Sequence, residues 1–266
     1  MVAPRLGTSL TKRCARCGLQ FAVTEAHHCS SPSAPQITEE DLDRTAPSYP
    51  PPQEEDADPV VGAVLAERYL IESRLSQGGM GVVYKAKHVH LDTPVAVKIL
   101  LQPQDPLAQR RFLEEAKMAS LVHHPNTVYI ADFGLLSDGR SYLVMELLVG
   151  PTLSKAIEEG PMEPLRACRI AQQIATGLQA VHDHGIVHRD LKPENIFLVE
   201  QTGQKDFVKI VDFGIAKVGG GQKLTQVGMV LGTPEYMSPE QATGQETDHR
   251  VDQYALGCIM YEMLTG

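Results

Sequence analysis

Eight consecutive residues constrain this 266-residue chain more than any other stretch: His188-Arg189-Asp190-Leu191-Lys192-Pro193-Glu194-Asn195. A carboxylate, an ammonium and an amide fall within six positions, between apolar Ile186-Val187 and Ile196-Phe197-Leu198. The apolar runs read as short buried strands. The loop between them would hold a base (Asp190), a phosphate clamp (Lys192) and a metal ligand (Asn195) on one rigid support. The plain alternative is a charged turn between strands. A bare Asp-Leu-Lys would usually be that; the whole octet is too specific.

A second site has the same character. In Lys209-Ile210-Val211-Asp212-Phe213-Gly214, strand-like residues deliver an aspartate that a glycine releases. Asp212 and Asn195 are both oxygen donors, the hard ligands that magnesium takes while bridging to phosphates. Upstream, Leu75-Ser76-Gln77-Gly78-Gly79-Met80-Gly81-Val82-Val83-Tyr84 sets a glycine cluster between apolar, β-branched residues, the pattern of a hairpin with a tight turn. Glycines let backbone amides approach phosphate oxygens. A dinucleotide-binding fold would place a helix directly after them, but Val82-Val83-Tyr84 reads as strand. Val95-Ala96-Val97-Lys98-Ile99 alternates, with Lys98 opposite Val97 and Ile99. Lys98 is either an exposed strand lysine or, given its place after the glycines, a phosphate ligand. Such a lysine needs a carboxylate to orient it. The helical pattern from Gln109 to Val122, with Phe112, Ala116, Ala119 and Leu121 as apolar turns, offers Glu114 and Glu115. Leu165 to His184 reads as an amphipathic helix on Ile170, Ile174, Leu178 and Val181, stopped by Gly185.

In this order the motifs resemble those of protein kinases, specifically the eukaryotic-like (Hanks-type) serine/threonine kinases of bacteria, from about residue 68 to the end. The resemblance implies an α+β, bilobal kinase fold: a β-rich N-lobe at 63–148 and a helical, partial C-lobe at 149–266. It implies ATP-dependent phosphorylation of serine and threonine hydroxyls on proteins, with magnesium or manganese as the cation. Asp190 and Lys192 then serve catalysis, with Lys98 and the carboxylate that orients it. Counting back from His124-Pro125-Asn126 selects Glu115, Glu114 being the fallback that the helix phase decides. Leu75, Gln77, Gly78, Gly79, Gly81, Val83, Lys98 and the backbone of Glu146 and Leu148 would hold the nucleotide, with Met145 as gatekeeper. Asn195 and Asp212 would hold the metal. Ser76 departs from the family pattern, standing where its first glycine belongs. Thr225 occupies the usual phosphorylation position in the activation segment 215–240, and Arg189 would pair with its phosphate. Asp252 resembles the residue that bonds back to the catalytic-loop backbone. Asp132-Phe133-Gly134 spells the metal-binding triplet too early, between Val128-Tyr129-Ile130 and Ser141-Tyr142-Leu143-Val144. It reads as a β-hairpin turning at Asp138-Gly139.

The family's C-lobe continues past the position of Gly266. The resemblance therefore implies a lobe lacking its last helices, with the apolar side of Leu256, Ile259, Met260 and Met263 facing water. That leaves a second class open: an inactive nucleotide-binding scaffold, which a phosphate-transfer assay would separate from an active enzyme.

The amino terminus differs in texture. Cys14-Ala15-Arg16-Cys17-Gly18 is a CxxC turn, and His27-His28-Cys29 supplies a second half. Zinc takes four nitrogen or sulfur ligands, so Cys14, Cys17, Cys29 and one histidine, preferentially His27, form a plausible set within 1–30. The segment resembles the zinc-ribbon-like heads that precede some bacterial kinase domains; the alternatives are incidental or redox cysteines. Residues 31–62 read as a disordered linker: 30–62 contain seven prolines and eight acids against Arg44. That stretch explains most of the net charge of −9. The acidity argues against nucleic acid as a partner. Protein substrates, and self-association for autophosphorylation, are the partners expected. No signal-like or membrane-spanning apolar run is present, since Arg5, Lys12 and Arg13 interrupt the start. A reducing cytoplasm fits clustered cysteines that bind metal instead of pairing.

Overall fold

A computed structural model describes residues 11–13, 20–22, 58–79, 81–101, 105–201, 203–213 and 234–266. In the amino-terminal unit, Met1–Glu55, these form one antiparallel hairpin, β1 (Thr11–Arg13) with β2 (Gln20–Ala22). Cys14, Cys17, His27 and Cys29 lie outside the described residues, as do Met80, Thr225 and Thr233.

The second unit, Asp56–Gly266, begins with a sheet. Its strands are β3 (Val64–Leu65), β4 (Tyr69–Gln77), β5 (Gly81–His88), β6 (Pro94–Leu100), β7 (Ile130–Leu135) and β8 (Ser141–Glu146), in the order β3-β4-β5-β6-β8-β7, all antiparallel. The period-two pattern sorts the two faces. Val95, Val97 and Ile99 join Tyr69, Ile71, Val82, Tyr84 and Val144 in one buried cluster. Ala96 and Leu100 turn the other way, into the larger core that runs through to the helical half. Lys98 shares that second face.

Between β6 and β7 lies helix α1 (Pro106–Ser120). It starts three residues before the sequence expectation. The Asp105 carboxylate accepts hydrogen bonds from the Leu107 and Ala108 amides, and Pro106 occupies the first turn, where its missing N–H costs nothing. Ala108, Phe112, Ala116 and Ala119 face the core, whereas Leu121 lies beyond the helix and is exposed. This phase exposes Glu114 and turns Glu115 inward.

The helical half holds α2 (Leu153–Ile157), α3 (Pro164–His182), α4 (Pro239–Ala242) and α5 (Arg250–Thr265), with a two-stranded sheet of β9 (Ile196–Gln201) and β10 (Gln204–Ile210). Gly185 adopts φ +72°, and its amide donates to the His182 carbonyl, which ends α3 and turns the chain into the 188–195 loop. Helix α5 packs on α3. The expectation that Ile259 and Met263 face water is wrong: both are fully buried. The helix phase puts them on the inner stripe with Val251 and Ala255, and Leu256 and Met260 are half-buried at its edge. The exposed stripe carries Tyr254, Tyr261 and Leu264 instead.

Residues 58–62, assigned by sequence to the end of the linker, form hydrogen-bonded turns on the sheet. The Gly62 amide donates to the Ile71 carbonyl, and the Tyr84 hydroxyl donates to the Asp58 carboxylate.

Candidate active site

The loop 188–195 is held by one buried carboxylate. Asp252 sits in the first turn of α5 at 1% exposure, and its two oxygens accept the amide hydrogens of His188 and Arg189, each at 2.9 Å. The His182 ring nitrogen Nε2 lies 2.7 Å from the same carboxylate. Burial pushes the Asp252 carboxyl up, but the His182 bond, the nearby His188 ring and the two amides outweigh it and hold it below the ordinary range. These bonds fix Arg189 at φ +61°, a left-handed conformation that a residue with a side chain adopts only when its surroundings impose it.

His188 links the loop to the second motif. Its Nδ1 accepts the Asp190 amide at 3.3 Å, so Nε2 carries the proton that it donates to the Val211 carbonyl at 2.9 Å. Its ring also packs edge-on against Phe213. Asn195, buried, donates its Nδ2 hydrogen to the Asp190 carbonyl at 2.8 Å, and its own carbonyl accepts the Val211 amide. Asp190 and Asn195 are thereby set by one continuous hydrogen-bonded unit that also holds Val211, the residue before Asp212. Asp212 is itself at φ +61°. Arg189, Asp190 and Lys192 line a small recess with Tyr236, Met237 and Gln241.

Across the cleft, the Lys98 ammonium lies 2.6 Å from the Asp212 carboxylate. Sequence reasoning assigned its orientation to Glu115, and the structure does not bring those two together. Glu115 Oε2 is buried and, among the described residues, has no hydrogen-bond partner. Burial raises its carboxyl to about 7, against the opposing pull of the Arg189 and Arg111 guanidinium groups.

The glycine loop divides into two roles. Side chains at Gly78 or Gly79 would meet open space, whereas a Cβ at Gly81 would lie 2.7 Å from the Ile99 carbonyl oxygen. Gly81 is therefore required by the β5–β6 approach and not by a ligand alone. Leu75 is half exposed at the mouth of the cleft, while Val83, Leu147 and Leu148 pack against the core with buried Met145. Gln77 closes β4, paired with Val82.

Asp132, the early look-alike, is occupied elsewhere. It accepts the Tyr69 hydroxyl at 2.9 Å and pairs with Arg68 at 3.0 Å, on an edge strand.

Several positioning groups escaped the sequence reading. His182 supports Asp252. Ser238 caps α4 in a capping box with Gln241, whose side chain donates to the Arg189 carbonyl at 3.1 Å. The Ser-x-x-Gln spacing was a readable signal for that box; nothing local marks His182.

The donor set fits a nucleotide with a divalent cation. Asn195 has its side-chain nitrogen committed and a side-chain amide oxygen to offer, Asp212 is a carboxylate two residues beyond β10, and Lys98 reaches the same point from the sheet. Comparison with known proteins agrees with this geometry. The model of the protein kinase domain matches residues 69–266. The chain is 43% identical over 218 residues to the serine/threonine-protein kinase pkn3 of Myxococcus xanthus, covering 79% of this chain and 40% of that protein. It is 41% identical over 259 residues to Pkn1 of the same organism, covering 95% and 36%. With PknH of Mycobacterium tuberculosis it shares 41% over 201 residues, covering 74% and 31%. The chain thus spans less than half the length of these relatives. It belongs to the protein kinase family. Within that family its likeness is to the Hanks-type serine/threonine kinases of bacteria.

Proposed function

We propose that this chain transfers the terminal phosphoryl group of ATP to serine and threonine hydroxyls of proteins. The observation that carries the reading is the unit built on Asp252, which ties the backbone around Asp190 and Asn195 to Val211, the neighbour of Asp212. Asp190 orients the acceptor hydroxyl and takes its proton. Lys192 offsets charge on the transferred group. Asn195 and Asp212 would hold magnesium or manganese, which when bound neutralises charge on the phosphates. The backbone of Glu146 and Leu148 would bond the adenine edge, the Glu146 amide itself being taken by the Tyr129 carbonyl, with Leu75 and Val83 as apolar neighbours of the base. Gln77, Gly78, Gly79 and Gly81 supply the phosphate-facing turn.

In the arrangement described, Asp212 holds Lys98 and Glu115 stands apart. Lys98 would serve the phosphates, with Glu115 to orient it, when Asp212 is engaged with a cation. Transfer of labelled phosphate from ATP to a generic protein substrate tests the whole reading. Asp190→Asn should lower the rate by roughly 10²–10⁴-fold, the usual scale for a lost general base. Equal incorporation by parent and variant would overturn it. Mapping the label in the same reaction tests Thr225, with Arg189 as the cation for its phosphate and a second copy of the chain as the donor enzyme. A fully active sample without modified Thr225 would exclude that site.

For the amino-terminal segment we infer a zinc knuckle at 1–30 formed by Cys14, Cys17, His27 and Cys29, joined by the linker to lobes at 63–148 and 149–266. The CxxC spacing supports it. Purified chain should carry about one zinc per molecule, and Cys14→Ser should lose it; a metal-free parent would refute the knuckle. Among the described residues, no helix is long and apolar enough to cross a membrane.

A further inference from the structure

One half-buried charge pair is not used by the reading above. Lys209 lies on β10, three residues before Asp212, and its ammonium is 2.8 Å from Glu146 Oε1, at the end of β8. The Lys209 side chain is 13% exposed. A surface pair would contribute little, but this one is built into a network. Glu146 Oε1 also accepts the Tyr129 amide at 2.7 Å, and the Glu146 amide donates to the Tyr129 carbonyl at 3.0 Å. The Lys209 ammonium also reaches the Thr127 carbonyl at 3.4 Å.

The segment 126–129 is stitched to β10 as well. The Ile210 amide donates to the Asn126 carbonyl and the Val128 amide to the Ile210 carbonyl, each at 2.9 Å. Three pieces therefore meet: the end of β8 at Glu146, where the proposed adenine-binding hinge 146–148 begins, the segment 126–129, and β10, whose last residue lies two positions before Asp212. Two sides of this triangle are backbone hydrogen bonds. The Glu146–Lys209 pair is the third side, and among the described residues it is the hydrogen-bonded contact that joins hinge to strand directly.

We propose that Glu146 and Lys209 are positioning residues that set the separation between the hinge backbone and the metal-binding end of β10. The inference rests on the nucleotide site proposed above. A ligand that touches the hinge alone does not sense this separation. A ligand that spans the hinge and Asp212 must match it.

Calorimetric binding to the full chain separates these cases, with adenosine as the hinge-only probe and magnesium-ADP as the spanning probe. Lys209→Met should weaken magnesium-ADP roughly 5–20-fold, the lower part of the range of one charged hydrogen bond because the pair is partly exposed, and leave adenosine within about twofold of the parent. Glu146→Gln keeps an acceptor for the Tyr129 amide and should act in the same direction by roughly 2–5-fold. The double variant should be no weaker than Lys209→Met alone, because the two residues act through one contact. Equal weakening of both probes, or no change in either, would overturn the proposal. A parent that binds adenosine but not magnesium-ADP would remove the nucleotide site itself and the clamp with it. Thermal melts on the same samples show whether each variant is folded; if Lys209→Met is not, Glu146→Gln decides.

Discussion

The two walls of the cleft are finished to different degrees. On the helical wall, Asp252 has both oxygens engaged, His188 both ring nitrogens, and Asn195 bonds at its side chain and backbone. On the sheet wall, Lys98 is taken up by a residue of the opposite wall, and Glu115 keeps a buried oxygen with no partner. Satisfied buried networks are stiff, and breaking one member exposes the rest to the full desolvation cost. A buried group without a partner marks the reverse: an arrangement that gains when something moves. The helical wall is thus a satisfied network, and the sheet wall keeps a buried group to be satisfied.

The sharpest way to break this contrast is at Asp252. Asp252→Ala leaves two buried amides and the His182 ring unpaired, so it should cost about 3–5 kcal/mol of stability. It should abolish phosphate transfer as well; denaturant melts and the labelled assay check the two effects. Lys98→Met should separate those effects. Transfer should fall by roughly 10²-fold or more, since a cation aimed at charge developing in the reaction is lost. Stability should stay within about 1 kcal/mol, because Asp212 is 35% exposed and water can solvate it. If Lys98→Met unfolds the chain as Asp252→Ala does, the two walls are not different in kind.

The smallest effect concerns Glu115. Its carboxyl is raised from 4.5 to about 7, chiefly by burial. Between those values the folded chain holds a proton that the unfolded chain has released, so stability declines as pH rises through that window. Glu115→Gln carries no such charge. It should match the parent near pH 4.5 and exceed it at pH 8 by about 1 kcal/mol, or roughly 2–4 °C in melting temperature. A parent that gains on the variant as pH rises would show Glu115 to be paired and charged in the folded state.

Much of this was legible in sequence because it is local. Alternation fixed the strands around Lys98, the three- and four-residue spacing fixed α3, and Gly185 marked its end. The order of motifs separated Asp212 from its look-alike Asp132, and the structure gives Asp132 a tyrosine and an arginine as partners. Other features were not legible, since they depend on residues far apart. The phase of α5 against α3 buried Ile259 and Met263, where the sequence suggested an uncovered face. The Asp105-Pro106 start of α1 was a local signal that the periodicity reading passed over.

By itself, then, the sequence determined the chemical inventory: Asp190, Lys192, Asn195, Asp212, Lys98 and a glycine turn, in the order of the protein kinase family. Spacing along the chain suffices for that, because each motif is short. The tertiary structure alone decided which of these groups meet. Lys98 lies 114 positions from Asp212, and His182 lies 70 from Asp252. Such pairings follow from packing and from the need to satisfy buried charge, and neither is written in the residues on either side.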